Sequence, residues 1–355
     1  MFRILTLFLL PHILLTACGP GDGDAGDTQE SIDTRDAGAS TASQGQASSQ
    51  VAFQLPERDL FPEGIAYDPA SQRFLLGSLR KSKIISVGLD GVVDTLAGRS
   101  ELGQGGILGL KVDPERRVLW ANFHQSSEQL NADSSVPFRT GIHKIDLDTG
   151  LLLRSYSIEK EEENHLFNDI ALASDGTVYI TSYSKGTLYR IPAATGELEA
   201  WLSMPEGVYT NGIAIGPRGR SLFVAGNADV YRVEIGTNEV KPLEVPEGSF
   251  VGFGDGLYFD DGGLIIIASY GNQGRQDYHV ARLRLSDDWS AITEIQVLDR
   301  EHSLFGYPTT GALVDGWFYY IANAQFDRVD GQGTVAPWED LSDTYILRIG
   351  LESGS

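Results

Sequence analysis

Four residues far apart in the chain, Glu63, Asn168, Asn211 and Asp255, share one local setting. Each is followed by Gly or Asp and then by an apolar residue, in Pro62-Glu63-Gly64-Ile65, Phe167-Asn168-Asp169-Ile170, Thr210-Asn211-Gly212-Ile213 and Gly254-Asp255-Gly256-Leu257. Two carboxylates and two amide carbonyls are hard oxygen donors of mixed charge. Such a set suits one divalent cation, Ca2+ first, or Mg2+ or Mn2+ with added water. A thiolate zinc site is excluded because Cys18 is the only cysteine, and none of the six His shows metalloprotease pairing. There is no Gly-x-Ser-x-Gly elbow and no phosphate-binding Gly-Lys-Ser/Thr loop, so serine-hydrolase and nucleotide-hydrolase chemistry lack support. One Asn-Gly alone marks a turn. Four equivalent motifs carry weight only if the fold gathers them.

The elements that would gather them are legible as a repeat. Units open at Glu63, Leu108, Asn168, Asn211, Asp255 and Thr310, spaced 45, 60, 43, 44 and 55 residues apart. Each continues with an apolar strand, a Gly/Asp turn and further strands, as in Val178-Tyr179-Ile180 followed by Leu188-Tyr189-Arg190-Ile191. Four short strands per unit of about 45 residues is the blade of a β-propeller, so an all-β, six-bladed propeller with four-stranded blades is expected. The chain runs out after a third strand, Tyr345–Ile349. Val51–Leu55 from the other end is therefore expected to complete the last blade and close the ring. The opening residue of each unit then starts the innermost strand, and the ring brings Glu63, Asn168, Asn211 and Asp255 to one axis. Longer spacings come from insertions at Gln125–Arg139, Gly271–His279 and Asp327–Asp343, each between the second and third strand of its unit, on the face where substrates arrive.

The same four motifs resemble the metal-site motifs of the SMP-30/gluconolactonase family, six-bladed calcium-dependent propellers related to paraoxonases and diisopropyl-fluorophosphatases. The resemblance covers about residues 52–350. It implies that Glu63, Asn168, Asn211 and Asp255 hold one divalent cation acting as Lewis acid on a small lactone or related ester, with Asp255 as catalytic base or nucleophile. Leu108 stands in the region where the paraoxonase branch carries a catalytic His, and it cannot act as a base. His165, three residues before Asn168, and Thr310 are candidate substrate contacts. The alternative function is a non-catalytic binding propeller of the cell envelope with a structural metal. A strictosidine-synthase-like or quinone-dependent propeller ranks behind both.

Composition and the chain's front end bound the rest. The 355 residues hold 27 Lys+Arg against 49 Asp+Glu, a net charge of −22, which argues against nucleic acid as a partner. Residues 1–17 read as an export signal, with Arg3 ahead of an apolar run that ends in Leu15-Thr16-Ala17-Cys18. That ending resembles the bacterial lipobox, so Cys18 is expected to carry lipid and to anchor the protein to a membrane. Gly19 follows the Cys where inner-membrane retention often uses Asp, which points to the outer membrane or a periplasm-facing position. Residues 18–50, rich in Gly, Ala, Ser and Asp, read as a flexible tether, and residues 51–350 as the propeller. A closed ring needs no partner strand, so a monomer is expected.

Overall fold

The computed structural model describes residues 49–125, 139–159, 165–183, 186–269, 277–329 and 334–351. The stretch expected to be an export signal, Cys18 expected to carry lipid, and the expected tether up to residue 48 lie outside the described residues, as do the centres of the three insertions.

Among the described residues the strands form six four-stranded sheets, every ladder antiparallel. Blade 1 is built from Pro62–Asp68, Arg73–Ser78, Lys83–Gly88 and Val93–Ala97, and blade 2 from Gly106–Asp113, Val118–His124, Arg139–Asp146 and Leu152–Glu159. Blades 3, 4 and 5 open with the innermost strands Phe167–Leu172, Thr210–Ile215 and Phe253–Asp260. Blade 6 contains Gly311–Val314, Trp317–Ile321 and Thr344–Gly350, and Gln50–Leu55 completes it from the other end of the domain. That last pairing runs from Gln50 opposite Arg348 to Leu55 opposite Thr344, so the ring closes as the sequence leads one to expect.

The packing explains why the strands read as they do. Second strands such as Val118–His124, Val178–Ser182 and Gly263–Ser269 are buried at every position, because sheets press on both faces, and their sequences are near-continuous apolar runs. Outer strands such as Val93–Ala97 meet water. Six apolar clusters fill the six spaces between neighbouring blades. The cluster that joins blade 6 to blade 1 packs Phe53, Phe74, Tyr319 and Ile346 together, and the others repeat the arrangement around the ring. The insertions at Gln125–Arg139, Gly271–His279 and Asp327–Asp343 do fall between second and third strands.

One irregularity recurs and matters for function. In blades 1 to 5 the innermost strand slips register against its neighbour directly at the repeated motif. The slips fall between Pro62 and Ile65, Ile107 and Leu110, Phe167 and Ile170, Thr210 and Ile213, and Gly254 and Leu257. A bulge of this kind bends the strand and re-aims a side chain. Each candidate ligand is the first bulged residue.

In blades 1, 2 and 4 the second bulged residue is Gly where the next blade presses against it, whereas blade 3 has Asp169 there. A Cβ on Gly64 would lie 2.1 Å from the Leu108 carbonyl oxygen, one on Gly109 2.3 Å from that of Asn168, and one on Gly212 2.2 Å from that of Asp255. The repeated Gly is therefore the mark of blade-to-blade contact at the channel, and its cause is close backbone approach.

Candidate metal centre

The bulges place Glu63, Asn168, Asn211 and Asp255 at the entry ends of four innermost strands. Glu63 and Asn168 are each only 2% exposed. Three of the four side chains present a buried oxygen with no hydrogen-bond partner: Glu63 Oε2, Asn168 Oδ1 and Asn211 Oδ1. Leaving such acceptors unmade costs about 1–3 kcal/mol each. Three orphaned acceptors at equivalent bulges, together with the Asp255 carboxylate, are what a bound cation would satisfy, so the residues fit the ion that the sequence implies. Among the described residues no group of three or more His, Cys, Asp and Glu side chains could hold a metal. An ion here therefore depends on the two amide oxygens.

The electrostatics of the ion-free site point the same way. Burial and the neighbouring Asp169 carboxylate push Asp255 up to about 8, against a smaller pull downward from the Asn211 hydrogen bond. Burial, Asp255 and Asp169 likewise hold Glu63 well above the usual carboxylate range. Carboxylates crowded together and largely shielded from water resist ionising together. A divalent cation bound there would remove that resistance and favour the anionic form of both.

Asp169 is the member of this group that the sequence pattern hides, because it occupies the place held by Gly in the other three motifs. Its carboxylate accepts from the Ile170 amide (2.8 Å) and, in the next blade, from the Ile213 amide (3.1 Å). Burial raises its pKa, opposed by Lys111 and these two amides. Lys111 also stands 5.3 Å over the ring of Tyr258, whose hydroxyl accepts from the Gly311 amide (2.6 Å). Three carboxylates and one ammonium leave two negative charges, which one divalent ion balances.

The other expected contacts are arranged differently. The Thr310 hydroxyl donates to the Glu63 carbonyl (2.6 Å) and accepts from the Ile65 amide (3.2 Å), while the Thr309 hydroxyl also donates to Glu63 (3.0 Å). Thr310 thus acts on the site by fixing the Glu63 backbone. His165 Nδ1 lies 3.4 Å from the Ser182 hydroxyl and 3.3 Å from that of Tyr189, on the second and third strands of blade 3. Leu108 is fully buried.

Two further features had no sequence signature. Opposite the bulge, blades 1 to 5 carry Gly77, Asn122, Thr181, Ala225 and Ile267. The Thr181 hydroxyl is used by the Asp169 amide (3.0 Å). Asn122, 0% exposed, has both amide atoms without a partner. Around the entry, Tyr183 pairs with Tyr209 (ring centroids 5.7 Å apart), and Tyr278 with Tyr307 (5.4 Å). Burial raises the Tyr183 and Tyr278 hydroxyls, and the Asp255 charge adds to the rise in both cases.

A cavity of about 830 Å3 opens at the opposite end of the channel, lined by Tyr67, Lys111, Ala171, Ile213, Tyr258 and Ala312 from the far ends of the six innermost strands. It does not contain the quartet. The orphaned oxygens, not this cavity, locate the candidate chemistry.

Solved structures with this architecture include a gluconolactonase from Xanthomonas campestris, 14% identical, matched over 86% of this chain and 90% of that one with a TM-score of 0.56. The PQQ-bound form of an aldose sugar dehydrogenase from Streptomyces coelicolor is 16% identical over 87% and 99% of the two chains, with a TM-score of 0.57. A catalytically inactive virginiamycin B lyase from Staphylococcus aureus, with quinupristin, is 13% identical over 84% and 97%, with a TM-score of 0.53. No family model and no curated protein matches the chain. The likeness establishes the propeller fold, gluconolactonases among its members. It leaves the chemistry to the site.

Proposed function

We propose that this protein is a metal-dependent hydrolase of a small lactone or related ester, using one divalent cation, Ca2+ first, in the propeller channel. The observation that carries the reading is the set of buried oxygens of Glu63, Asn168 and Asn211 without partners beside Asp255. When bound, the ion would act as a Lewis acid on the acyl oxygen of the substrate. Asp255, ionised when the ion is bound, would take a proton from the water whose oxygen adds to the acyl carbon, or would itself attack that carbon, displacing the alkoxide to leave an acyl anhydride that water then hydrolyses. In the water route the acyl C–O bond then breaks, and the leaving alkoxide recovers a proton to give the hydroxy acid. Asn168 and Asn211 hold charge-neutral positions that fix the ion without adding repulsion. In this reading the export signal and Cys18 make the protein an envelope lipoprotein meeting a small-molecule substrate outside the cytoplasm.

The test is a panel of lactones and aryl esters assayed with and without a calcium chelator, for the wild type and Asp255→Asn. Turnover that chelation abolishes, and that falls at least about 100-fold in the folded variant, is expected. Unchanged turnover in Asp255→Asn would remove the mechanism. Ion binding with no turnover on any substrate would instead favour the binding propeller with a structural metal.

A further inference from the structure

The mouth above the quartet is not uniform. Tyrosines occupy the side of blades 3 to 6, and the corner between blades 1 and 2 carries unpaired donors. Arg80 lies in the turn between Ser78 and Lys83, on the same face as the quartet. Its Nε is buried without a hydrogen-bond partner, and Arg80 makes no ion pair among the described residues. Gln104 Nε2, two residues before the innermost strand of blade 2, is buried and unpartnered too. Backbone bonds tie this corner to the candidate metal centre. The Leu79 amide donates to the Phe61 carbonyl (3.1 Å), two residues before Glu63, and the Gly105 amide donates to the Ser82 hydroxyl (3.1 Å).

An unpaired arginine is unexpected in a chain with a net charge of −22. Arg58, Arg73, Arg117 and Arg282 all hold carboxylates. The lysines that follow Arg80 in the chain do have acid partners, Glu57 for Lys81 and Lys83, and Asp59 for Lys81. What the corner lacks is an acceptor. A guanidinium fork matches a planar carboxylate better than any neutral group. We propose that Arg80 and Gln104 form a subsite for a carboxylate on the substrate, so that the site takes an acidic ring compound whose apolar body lies against Tyr183 and Tyr278. This inference rests on the hydrolase reading for the fate of the substrate, but not for its recognition.

The experiment uses the full-length protein with two matched probes, phenylacetate and neutral phenylacetamide, and measures binding by ligand-observed NMR titration. Phenylacetate is expected to bind, Arg80→Met to weaken it about ten- to a hundredfold, and Arg80→Lys to recover part of the loss. Phenylacetamide affinity should be the same in wild type and Arg80→Met. Since Arg80 Nε gives up no bond on substitution, the melting temperature of the variants should stay near wild type. Phenylacetate binding that is absent from the wild type, or unchanged in Arg80→Met, overturns the subsite. So does an equal loss for both probes, which would mean a structural role. On paired aryl esters, Arg80→Met should raise KM for the carboxylate-bearing ester and leave kcat and the neutral ester alone. If no ester is turned over but phenylacetate binding still depends on Arg80, the hydrolase reading falls and the subsite stands.

Discussion

Replacing Asp255 by Asn should make the ion-free protein more stable at pH 8, and the same change should remove its response to calcium. The carboxyl moves from an ordinary 3.8 to about 8 when the ion-free chain folds, driven by burial and then by Asp169. Between those values the folded state keeps a proton that the unfolded state has released, so stability falls as pH rises through that window. That rise corresponds to a ceiling of about 5–6 kcal/mol. Asp255 is only half-buried at the channel entry, and solvent screening there reduces the figure to about 2–3 kcal/mol. For a domain of this size that is a rise in melting temperature of about 4–10 °C for Asp255→Asn in chelator at pH 8. The gain should shrink steadily as pH approaches 4. Calcium at 100 times its dissociation constant should add about 2.7 kcal/mol to the wild type and little to the variant. Thermal melts at pH 5, 6.5 and 8, in chelator and in calcium, read all of this. Wild-type and variant melting temperatures that coincide from pH 5 to 8 in chelator would refute the crowded-carboxylate account.

Three other perturbations probe separate links. Gly212→Ala puts a methyl 2.2 Å from the Asp255 carbonyl, so it should cost about 1–3 kcal/mol and weaken calcium binding, whereas Gly236→Ala, with nothing within 4 Å, should do neither in calcium titrations. Asn122→Leu replaces a buried amide lacking partners by an apolar group of similar size, and should raise the ion-free melting temperature by about 2–4 °C. Arg117→Met strips the two guanidinium bonds from buried Asp68 (2.7 and 3.1 Å) and should destabilise by about 2–3 kcal/mol in thermal melts at pH 7. Burial alone would raise Asp68, but Arg117, Ser71 and the Ala70 amide bring it down to about 2. Its contribution is therefore complete above pH 4 and is lost as pH falls through 2, a slope that the variant should show less strongly.

The propeller was legible because one physical constraint is repeated around the ring. Gly64, Gly109 and Gly212 are needed wherever the next blade's carbonyl presses on the bulge, and that need stamps the same triplet into successive units. Ring closure followed from counting strands. The candidate quartet came with the triplets, since each candidate ligand is the residue just before the Gly or Asp of its motif. Asp169 was visible in its triplet, but its charge was not, because only the fold brings it against Lys111 and Ile213. Asn122, Arg80, Gln104 and the four tyrosines occupy places that differ from blade to blade. A residue that breaks the repeat is the one able to confer specificity, and it leaves no periodic trace.

The central claim is that the channel holds one divalent ion on Glu63, Asn168, Asn211 and Asp255. Elemental analysis of the full-length protein, dialysed against calcium and compared with Glu63→Gln/Asp255→Asn, tests it directly. About one divalent ion per chain in the wild type and none in the folded double variant is the predicted result. A folded wild type that retains no ion after exposure to calcium, magnesium or manganese would contradict it and leave the four side chains as channel lining.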